Sequence, residues 1–303
     1  MLQTAKAISW KDISKLRWEE IDKAPEPMSA GSAVTIGDNV FVNPASSKIV
    51  YCYNNQVRKW SMLPPYHYKN FSLAVVNDML TTVGGFGEED TNKLLSFTEQ
   101  RGWTETLPPM PTARRQPVTL STEQHVIVAG GFNGLKSLDT VEALATANNE
   151  WSTVCKLPYP LYGGSATLCA NQIYLVPEVV ESVARQDLVL SCSFDDLFKP
   201  PKKSLFGKIS SPWQKSKTPV ALSTIATLDG HILALGGKDM QAKNNTYTSS
   251  TVWELVQGSW KNVSCMKTGR WSTITAVLPE GRLMVVGGKS NFENMDSVEI
   301  ATL

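Results

Sequence analysis

The sequence predicts an all-β fold built from six repeats, and three observations support this prediction. A lone tryptophan recurs six times along the 303 residues, each time in a short segment with polar ends. Hydrophobic runs end in a residue doublet, and successive doublets lie 41 to 60 residues apart. The clearest unit contains four short strand-like segments in a row. One aromatic and one doublet per unit at this period are typical of a repeat architecture.

Two markers define the units. The tryptophans are Trp18, Trp60, Trp103, Trp151, Trp213 and Trp260, and the glycine doublets are Gly84-Gly85, Gly130-Gly131, Gly236-Gly237 and Gly287-Gly288. We expect the glycines to leave room for a neighbouring backbone and the tryptophans to cover the gaps between sheets. Asn43-Pro44 and Val176-Pro177 replace glycine in the first and fourth units. Because proline fixes φ and lacks a donor, the local turns there should differ.

The fifth unit shows the strand order. Ser223 to Leu228 and Ile232 to Leu235 predict two strands, joined by a hairpin turn at Asp229-Gly230. Val252 to Leu255 and Trp260 to Val263 predict the third and fourth strands. Apolar runs without alternation indicate sheets buried on both faces. The unit is therefore a four-stranded antiparallel meander that must stack on its neighbours.

These features resemble the kelch repeat, in which a hydrophobic strand, a Gly-Gly doublet, a β-rich stretch and a tryptophan follow one another. The resemblance extends over about residues 16–303, is strong in four units, and is degenerate where the glycines are replaced. It implies a β-propeller, a closed ring of four-stranded blades. A generic β-sandwich with chance doublets is the alternative.

The ends of the repeat array predict how the ring closes. A strand-like segment around Trp18 precedes the first doublet, whereas no tryptophan follows Gly288. We predict that residues 16–22 complete the sixth blade, which also removes an open edge. The expected organisation is an extension at 1–15 and a six-bladed propeller at 16–303. The blades are expected at about 29–63, 70–106, 117–154, 164–216, 221–263 and 272–303, with 16–22 completing the last.

The fourth unit carries a lysine-rich insertion. Its third strand is expected around Leu188 to Cys192, and Phe194 to Phe198 could form one helical turn that ends before Pro200-Pro201. The stretch 197–228 contains no acidic residue and six lysines: Lys199, Lys202, Lys203, Lys208, Lys215 and Lys217. The pattern fits a solvated loop or a docking site for an acidic partner or RNA.

Composition narrows the function classes. A net charge of +1 gives no global electrostatic reason to expect nucleic acid or a membrane surface as partner, and no apolar run approaches the ~20 residues of a membrane span. The N-terminus lacks the pattern of a signal peptide. Five cysteines without C-x-x-C spacing favour free thiols. We therefore expect a monomeric cytoplasmic protein.

Catalytic motifs are not found in the sequence. His125 and His231 occupy the same repeat position on one rim, and His67 belongs to the opposite rim, so the three cannot converge on a metal. There is no G-x-S-x-G or phosphate loop. We expect no catalytic residue, metal or cofactor. The alternative is a kelch-fold enzyme acting on a sugar or small molecule, for which Glu88, Glu89 and Asp90 are the acidic cluster.

Binding through one face is the favoured function. In a propeller, the links between blades and the loops after the doublets emerge together, and Tyr, Trp and Arg are common interface anchors. The candidate partner-binding residues are Tyr66, His67, Tyr68, Arg114, Arg115, Phe132, Asn133, Tyr159, Tyr162, Arg270, Trp271 and Phe292. We expect about half of the rings to pack inside the mouth. The expected function is a non-enzymatic scaffold or adaptor for a protein partner. The resemblance implies ubiquitin-ligase or actin-associated partners as two options, which depend on accompanying domains.

Overall fold

A computed structural model describes residues 12–181, 187–200, 211–239 and 248–303. These residues form short antiparallel strands arranged as six blades around a central channel. The described chain begins with a 3-10 turn (Ile13–Lys15) and a first strand, β1 (Arg17–Ile21). The predicted all-β, six-bladed propeller is confirmed.

The first two blades are simple meanders. Blade 1 contains β2 (Ser32–Ile36), β3 (Asn39–Asn43), β4 (Tyr51–Asn54) and β5 (Lys59–Met62). Blade 2 contains β6 (Ser72–Val76), β7 (Met79–Val83), β8 (Leu94–Thr98) and β9 (Gly102–Thr104). In both, each strand pairs with the next in sequence, so the first strand lines the channel and the fourth lies outermost.

Blades 3 and 4 share one seven-stranded sheet, which the sequence did not predict. The strands are β10 (Val118–Ser121), β11 (His125–Ala129), β12 (Leu138–Ala145), β13 (Glu150–Cys169), β14 (Gln172–Val180), β15 (Leu188–Ser193) and β16 (Gln214–Lys217). The long strand β13 is both the outer strand of blade 3 and the inner strand of blade 4. The interblade link stays extended because Tyr162 pairs with Val179 and Gly164 with Pro177. Val176-Pro177 therefore does not end its strand as the glycine doublets do.

The last two blades lead to ring closure. Blade 5 contains β17 (Thr224–Leu228), β18 (His231–Leu235), β19 (Thr251–Val256) and β20 (Ser259–Cys265). Blade 6 contains β21 (Ile274–Leu278), β22 (Arg282–Val286) and β25 (Val298–Thr302), and a small hairpin of β23 (Lys289–Ser290) and β24 (Glu293–Asn294) precedes β25. Strand β1 pairs antiparallel with β25, with Trp18 opposite Ala301. The predicted closure by the N-terminal strand is confirmed.

The apolar core lies between neighbouring sheets, and tryptophans cover its outer edge. Trp103 donates from Nε1 to the carbonyl of Pro64 at 2.9 Å, and Trp151 donates to Pro108 at 2.9 Å, each in the link that follows the preceding blade. Trp18 reaches Ser264 of blade 5 at 3.2 Å. Each ring thus spans the gap to the preceding blade.

The second glycine of each full doublet donates a backbone hydrogen bond to a carbonyl of the next interblade link. Gly237, for example, donates its N–H to the carbonyl of Arg270 at 2.8 Å. Its neighbour Gly236 has φ +57°, and a Cβ there would overlap the same carbonyl oxygen. The doublet therefore needs glycine both for its left-handed backbone and for the close approach of the next link.

The insertion in blade 4 is described only in part. A single helical turn, α1 (Phe194–Leu197), follows β15, as predicted, and its Phe194 packs near His125 of blade 3 with ring centroids 5.9 Å apart. Lys202, Lys203 and Lys208 lie outside the described residues. Lys217 lies 3.9 Å from Asp187, and Lys215 donates to the Tyr159 hydroxyl at 2.9 Å.

All five cysteines are free thiols. Burial raises the pKa of Cys192 to about 12 and that of Cys155 to about 11. Because the thiolate is the reactive form, these two side chains are poor nucleophiles at neutral pH.

Candidate functional site

One end of the propeller carries the interblade links, the loops after the doublets and the mouth of the channel. The channel encloses a cavity of about 350 Å³, lined by the innermost strand of every blade. Its described lining is rich in serine and threonine and has a single ionisable side chain, Glu178. Several of the hydroxyls join neighbouring blades, as where Ser32 Oγ accepts from the Leu73 N–H at 2.8 Å. We call this end the link face.

The six residues that directly follow the doublets lie around the mouth of the channel. In chain order these residues are Ala45, Phe86, Phe132, Glu178, Lys238 and Lys289. Four of them form a backbone bridge with a residue of the adjacent link: Phe86 with Lys69, Phe132 with Arg115, Lys238 with Ala221, and Lys289 with Trp271. The repeat thus holds aromatic and charged side chains at fixed points of the link face.

Arg115 is at the centre of the first of two cation–aromatic clusters. Its guanidinium carbon lies 4.7 Å from the centroid of Phe86 and 4.6 Å from that of Phe132, so it is held between two rings. Asp90 lies 3.5 Å from the guanidinium, and burial raises the pKa of that carboxyl against the opposing effect of Arg115. The Arg115 side chain keeps 25% of its surface exposed. We call these four residues the Arg115 cluster.

The second cluster surrounds Trp271. Lys238 Nζ lies 3.9 Å and Lys289 Nζ 5.0 Å from the Trp271 ring centroid, and Phe292 lies edge-on to the indole at 6.3 Å. Burial and the like charge of Lys289 lower the pKa of Lys238. None of the ion pairs among the described residues includes Lys238 or Lys289. Phe292 is 68% exposed. We call these residues the Trp271 cluster.

Arg114 and Arg270, predicted to bind a partner from an exposed position, are instead fully buried, so that expectation is wrong. Arg270 Nη2 lies 2.6 Å from Glu299 Oε1, and its Nη1 donates to the carbonyls of Gly287 and Ser297. Arg114 forms the equivalent pair with Glu142 at 2.8 Å. The physical reason is that the carbonyls left free at the end of a blade need donors, and a link arginine supplies several.

Tyr66 and Trp271 are also more buried than expected. Tyr66 is 2% exposed and packs edge-on against Tyr68, Phe71 and Trp103, while burial raises its pKa. Trp271 is 8% exposed, because its lysine neighbours cover the ring. Both side chains contribute to the link face from beneath its surface.

The remaining candidates are spread over the link face. His67 is exposed, Asn133 caps its own turn by accepting from the Leu135 and Lys136 N–H groups, and Tyr162 packs on Phe132 at 5.9 Å. Tyr159 lies under the ammonium of Lys215, 4.1 Å from its ring centroid. Of these, only Tyr162 joins one of the two clusters.

Sequence reasoning missed Glu178, Lys289 and Leu135. The first two could have been found, because they occupy the same position after the doublet as Phe86 and Phe132. Leu135 is 88% exposed on the loop between β11 and β12, and nothing in its local pattern marks it. The buried arginines also carried a signal, since Met-Pro-Thr-Ala-Arg ends at Arg114 and Met-Lys-Thr-Gly-Arg ends at Arg270.

Two kinds of feature are absent from the described part of the chain. There, no three His, Cys, Asp or Glu residues are grouped as metal ligands would be. Nor does this part contain a helix of the length and apolarity that crossing a membrane requires.

Comparison with known proteins agrees with the fold. Residues 113–157 match the family model of the Kelch motif. Two mouse proteins are similar: Kelch-like protein 35, 25% identical over 41% of this chain and 22% of its own length, and Kelch repeat and BTB domain-containing protein 3, 23% identical over 49% of this chain and 28% of its own length. Spermatocyte protein spe-26 of Caenorhabditis elegans is 23% identical over 69% of this chain and 40% of its own length.

The alignments thus span well under half the length of these curated relatives. The solved structure of YjhT superposes with a TM-score of 0.70 over 91% of this chain and 95% of that one, at 15% identity, which is evidence for the fold alone. The chain is therefore a six-bladed β-propeller, and the glycine doublets, the Kelch motif match and the relatives support its assignment to the kelch-repeat family.

Proposed function

We propose that the chain binds a protein partner through its link face and acts as a non-enzymatic scaffold or adaptor. The supporting observation is the pair of cation–aromatic clusters beside the channel mouth. Partly exposed aromatic and arginine side chains, held in place by packing, are the usual anchors of protein interfaces. Two exposed apolar side chains, Leu135 and Phe292, lie on loops of the same face.

Contacts within the chain hold the central side chain of each cluster in place. Arg115 is fixed by two rings and a carboxylate, and Trp271 by two lysines. Because side chains that are already ordered lose less conformational entropy on association, such anchors favour affinity. The two relatives with Kelch in their names support the same class of function. The alignments cover less than a third of each of these proteins, and the activities of the remaining parts are not attributed to this chain.

The test is affinity capture of a partner with the tagged chain, followed by binding measurements on single variants. We expect Arg115→Ala and Phe292→Ala to weaken binding of the captured partner by ~2 kcal/mol each, about thirtyfold in Kd. Val57→Ala is the matched control, since Val57 is 64% exposed and lies in the turn between β4 and β5 at the opposite end of a blade. Circular dichroism and the melting temperature check that each variant is folded.

One result would contradict the proposal directly. A partner that binds Arg115→Ala and Phe292→Ala normally, and loses affinity when residues 199–208 are removed, would place recognition on the lysine-rich insertion instead. That outcome would leave the fold intact and move the functional surface to the other end of blade 4.

The enzymatic alternative lacks a supporting observation. It requires two carboxylates, or a carboxylate and an arginine, to converge in the channel, and the described lining has Glu178 as its one ionisable residue. Glu88 and Glu89 are exposed on the loop after β7, and Asp90 is paired with Arg115. We therefore keep protein binding as the proposed function, in a monomer whose free thiols suit the reducing cytoplasm.

A further inference from the structure

Glu178 is distinguished from the other enclosed carboxylates near the link face by its lack of a cationic partner. The others each lie against an arginine: Glu142 with Arg114 at 2.8 Å, Glu299 with Arg270 at 2.6 Å, and Asp90 with Arg115 at 3.5 Å. Lys289 is the charged group that acts on Glu178, and it lies beyond ion-pair distance. Glu178 is partly buried in the channel wall and has no ion-pair partner among the described residues, so its carboxylate is open to a cation that enters the channel.

The hydrogen bonding of Glu178 is incomplete as well. Its side chain extends from blade 4 to blade 6, where Ser272 Oγ donates to Oε1 at 3.1 Å. No group in the described part of the chain donates to Oε2. A Cβ on Gly163 would lie 2.7 Å from Oε2, so the glycine there leaves space for the carboxylate. A carboxylate offers about four lone-pair sites, and the described protein uses one of them.

A second lining side chain is also without a partner. Ser223 Oγ is buried in the wall of the same cavity and has no hydrogen-bond partner among the described residues. Buried hydroxyls are normally paired. Because Ser223 Oγ has almost no accessible surface, a ligand reaches it only after the side chain rotates, and Glu178 is the charged acceptor that lines the cavity of about 350 Å³.

We propose that the channel mouth binds a primary ammonium group, presented to Glu178 by a lysine side chain of the bound partner. An ammonium has three donors on a compact centre, which suits one carboxylate, Glu178, in a lining rich in serine and threonine hydroxyls. A guanidinium would seek both carboxylate oxygens, and Ser272 already occupies Oε1. Calcium requires six to eight oxygen ligands, and the described lining supplies one carboxylate.

The inference rests on the proposed function for the source of the ammonium group and adds its chemical identity. Burial raises the pKa of Glu178, while the Ser272 hydrogen bond and the charge of Lys289 lower it. A bound ammonium would stabilise the ionised carboxylate further. Lys289 opposes a second cation in the mouth, so its removal should strengthen binding.

The experiment measures binding of three probes by ligand-observed NMR and calorimetry on the full chain at pH 7.5. The probes are n-butylamine, the peptide acetyl-Ala-Lys-Ala-amide and its norleucine counterpart, which lacks the charge. We expect the lysine peptide to bind and the norleucine peptide not to. Glu178→Gln should weaken lysine-peptide binding at least tenfold, Lys289→Met should strengthen it several-fold, and Glu88→Gln, on the same face, should leave it unchanged.

The two sources of the ammonium group are separated by the probes. If the lysine peptide binds, whether or not n-butylamine also binds, a lysine side chain is supported as the source of the ammonium group. If n-butylamine binds and the lysine peptide does not, the ligand is a free amine and the lysine assignment is overturned. Equal binding by wild type and Glu178→Gln, or no preference for the charged peptide over norleucine, overturns the inference. If Glu178→Gln does not fold, an unchanged affinity in Lys289→Met overturns it. If a captured partner requires Phe292 for binding but neither n-butylamine nor the lysine peptide binds, the proposed function is retained and the ammonium inference is overturned.

Discussion

Replacing the buried arginine of blade 6 tests the corrected role of the link arginines. Arg270 has no exposed surface, and its guanidinium pairs with Glu299, which is also fully buried. In Arg270→Met the carboxylate would stay behind without a cation, and breaking a buried pair in this way costs about 3–5 kcal/mol. Glu299 keeps two backbone donors, Lys267 N at 2.7 Å and Thr268 N at 3.0 Å. We therefore expect a loss near the lower limit, about 3 kcal/mol.

The assay is urea unfolding at pH 7, followed by tryptophan fluorescence and circular dichroism. Lys156→Met is the control, because Lys156 and its partner Asp139 keep 70% and 35% of their side-chain surface exposed, so its loss should cost at most about 1 kcal/mol. The double variant Arg270→Met/Glu299→Met should recover part of the lost stability, since no unpaired charge remains, while the carbonyls of Gly287 and Ser297 and the N–H groups of Lys267 and Thr268 still lack their partners. An Arg270→Met protein within about 1 kcal/mol of wild type, or a double variant less stable than the single one, would refute the reasoning.

Three further predictions concern the ring, the doublets and the channel. Deleting residues 1–22 removes β1 and leaves the edge of blade 6 open, so we expect loss of cooperative unfolding, and a melting curve like that of the full chain would rule this closure out. Gly236→Ala should destabilise by several times more than Gly37→Ala, because the two glycines have φ +57° and +56° and only the first has a neighbouring backbone that a Cβ would overlap; equal losses in urea unfolding would contradict this. Glu178→Gln should raise the free energy of unfolding at pH 7, and the gain should shrink as the pH falls to the ordinary carboxyl value of 4.5. The pKa of Glu178 is higher in the folded than in the unfolded state, so its ionisation destabilises the native state as the pH rises. A stability gain of Glu178→Gln that grows as the pH falls would contradict this.

Most of the architecture could be predicted from the chain alone. The doublets and tryptophans recur at one period, and the spare strand at Trp18 matches a strand missing after Gly288, so blade number and closure followed from counting. Strands pair through backbone hydrogen bonds, which nearly every residue can form. The strands themselves are marked by local apolar runs, and these can be seen in the sequence. The shared sheet of blades 3 and 4 did not follow, because the pairing of Tyr162 with Val179 depends on two segments meeting across a link.

The candidate site was predicted as a surface but not residue by residue. Arg114 and Arg115 are adjacent in sequence, yet the first is fully buried against Glu142 and the second is stacked between two rings on the link face. Residue type could not distinguish them, since arginine serves equally well as an internal donor and as an interface anchor. The repeated Met-x-Thr-x-Arg pattern did mark Arg114, because a residue that recurs at one repeat position tends to have a structural role.

The sequence by itself determined the propeller, its closure and the end at which the links emerge, because each of these depends on a periodic pattern of backbone pairing. Only the tertiary structure decided which side chains of the link face are anchors and which are internal supports. It also decided that Glu178 enters the channel and meets Ser272 of another blade. The physical reason is that burial and charge pairing at the mouth depend on side chains contributed by different blades, such as Glu178 and Ser272, 94 residues apart, whose contacts exist only once the ring is closed.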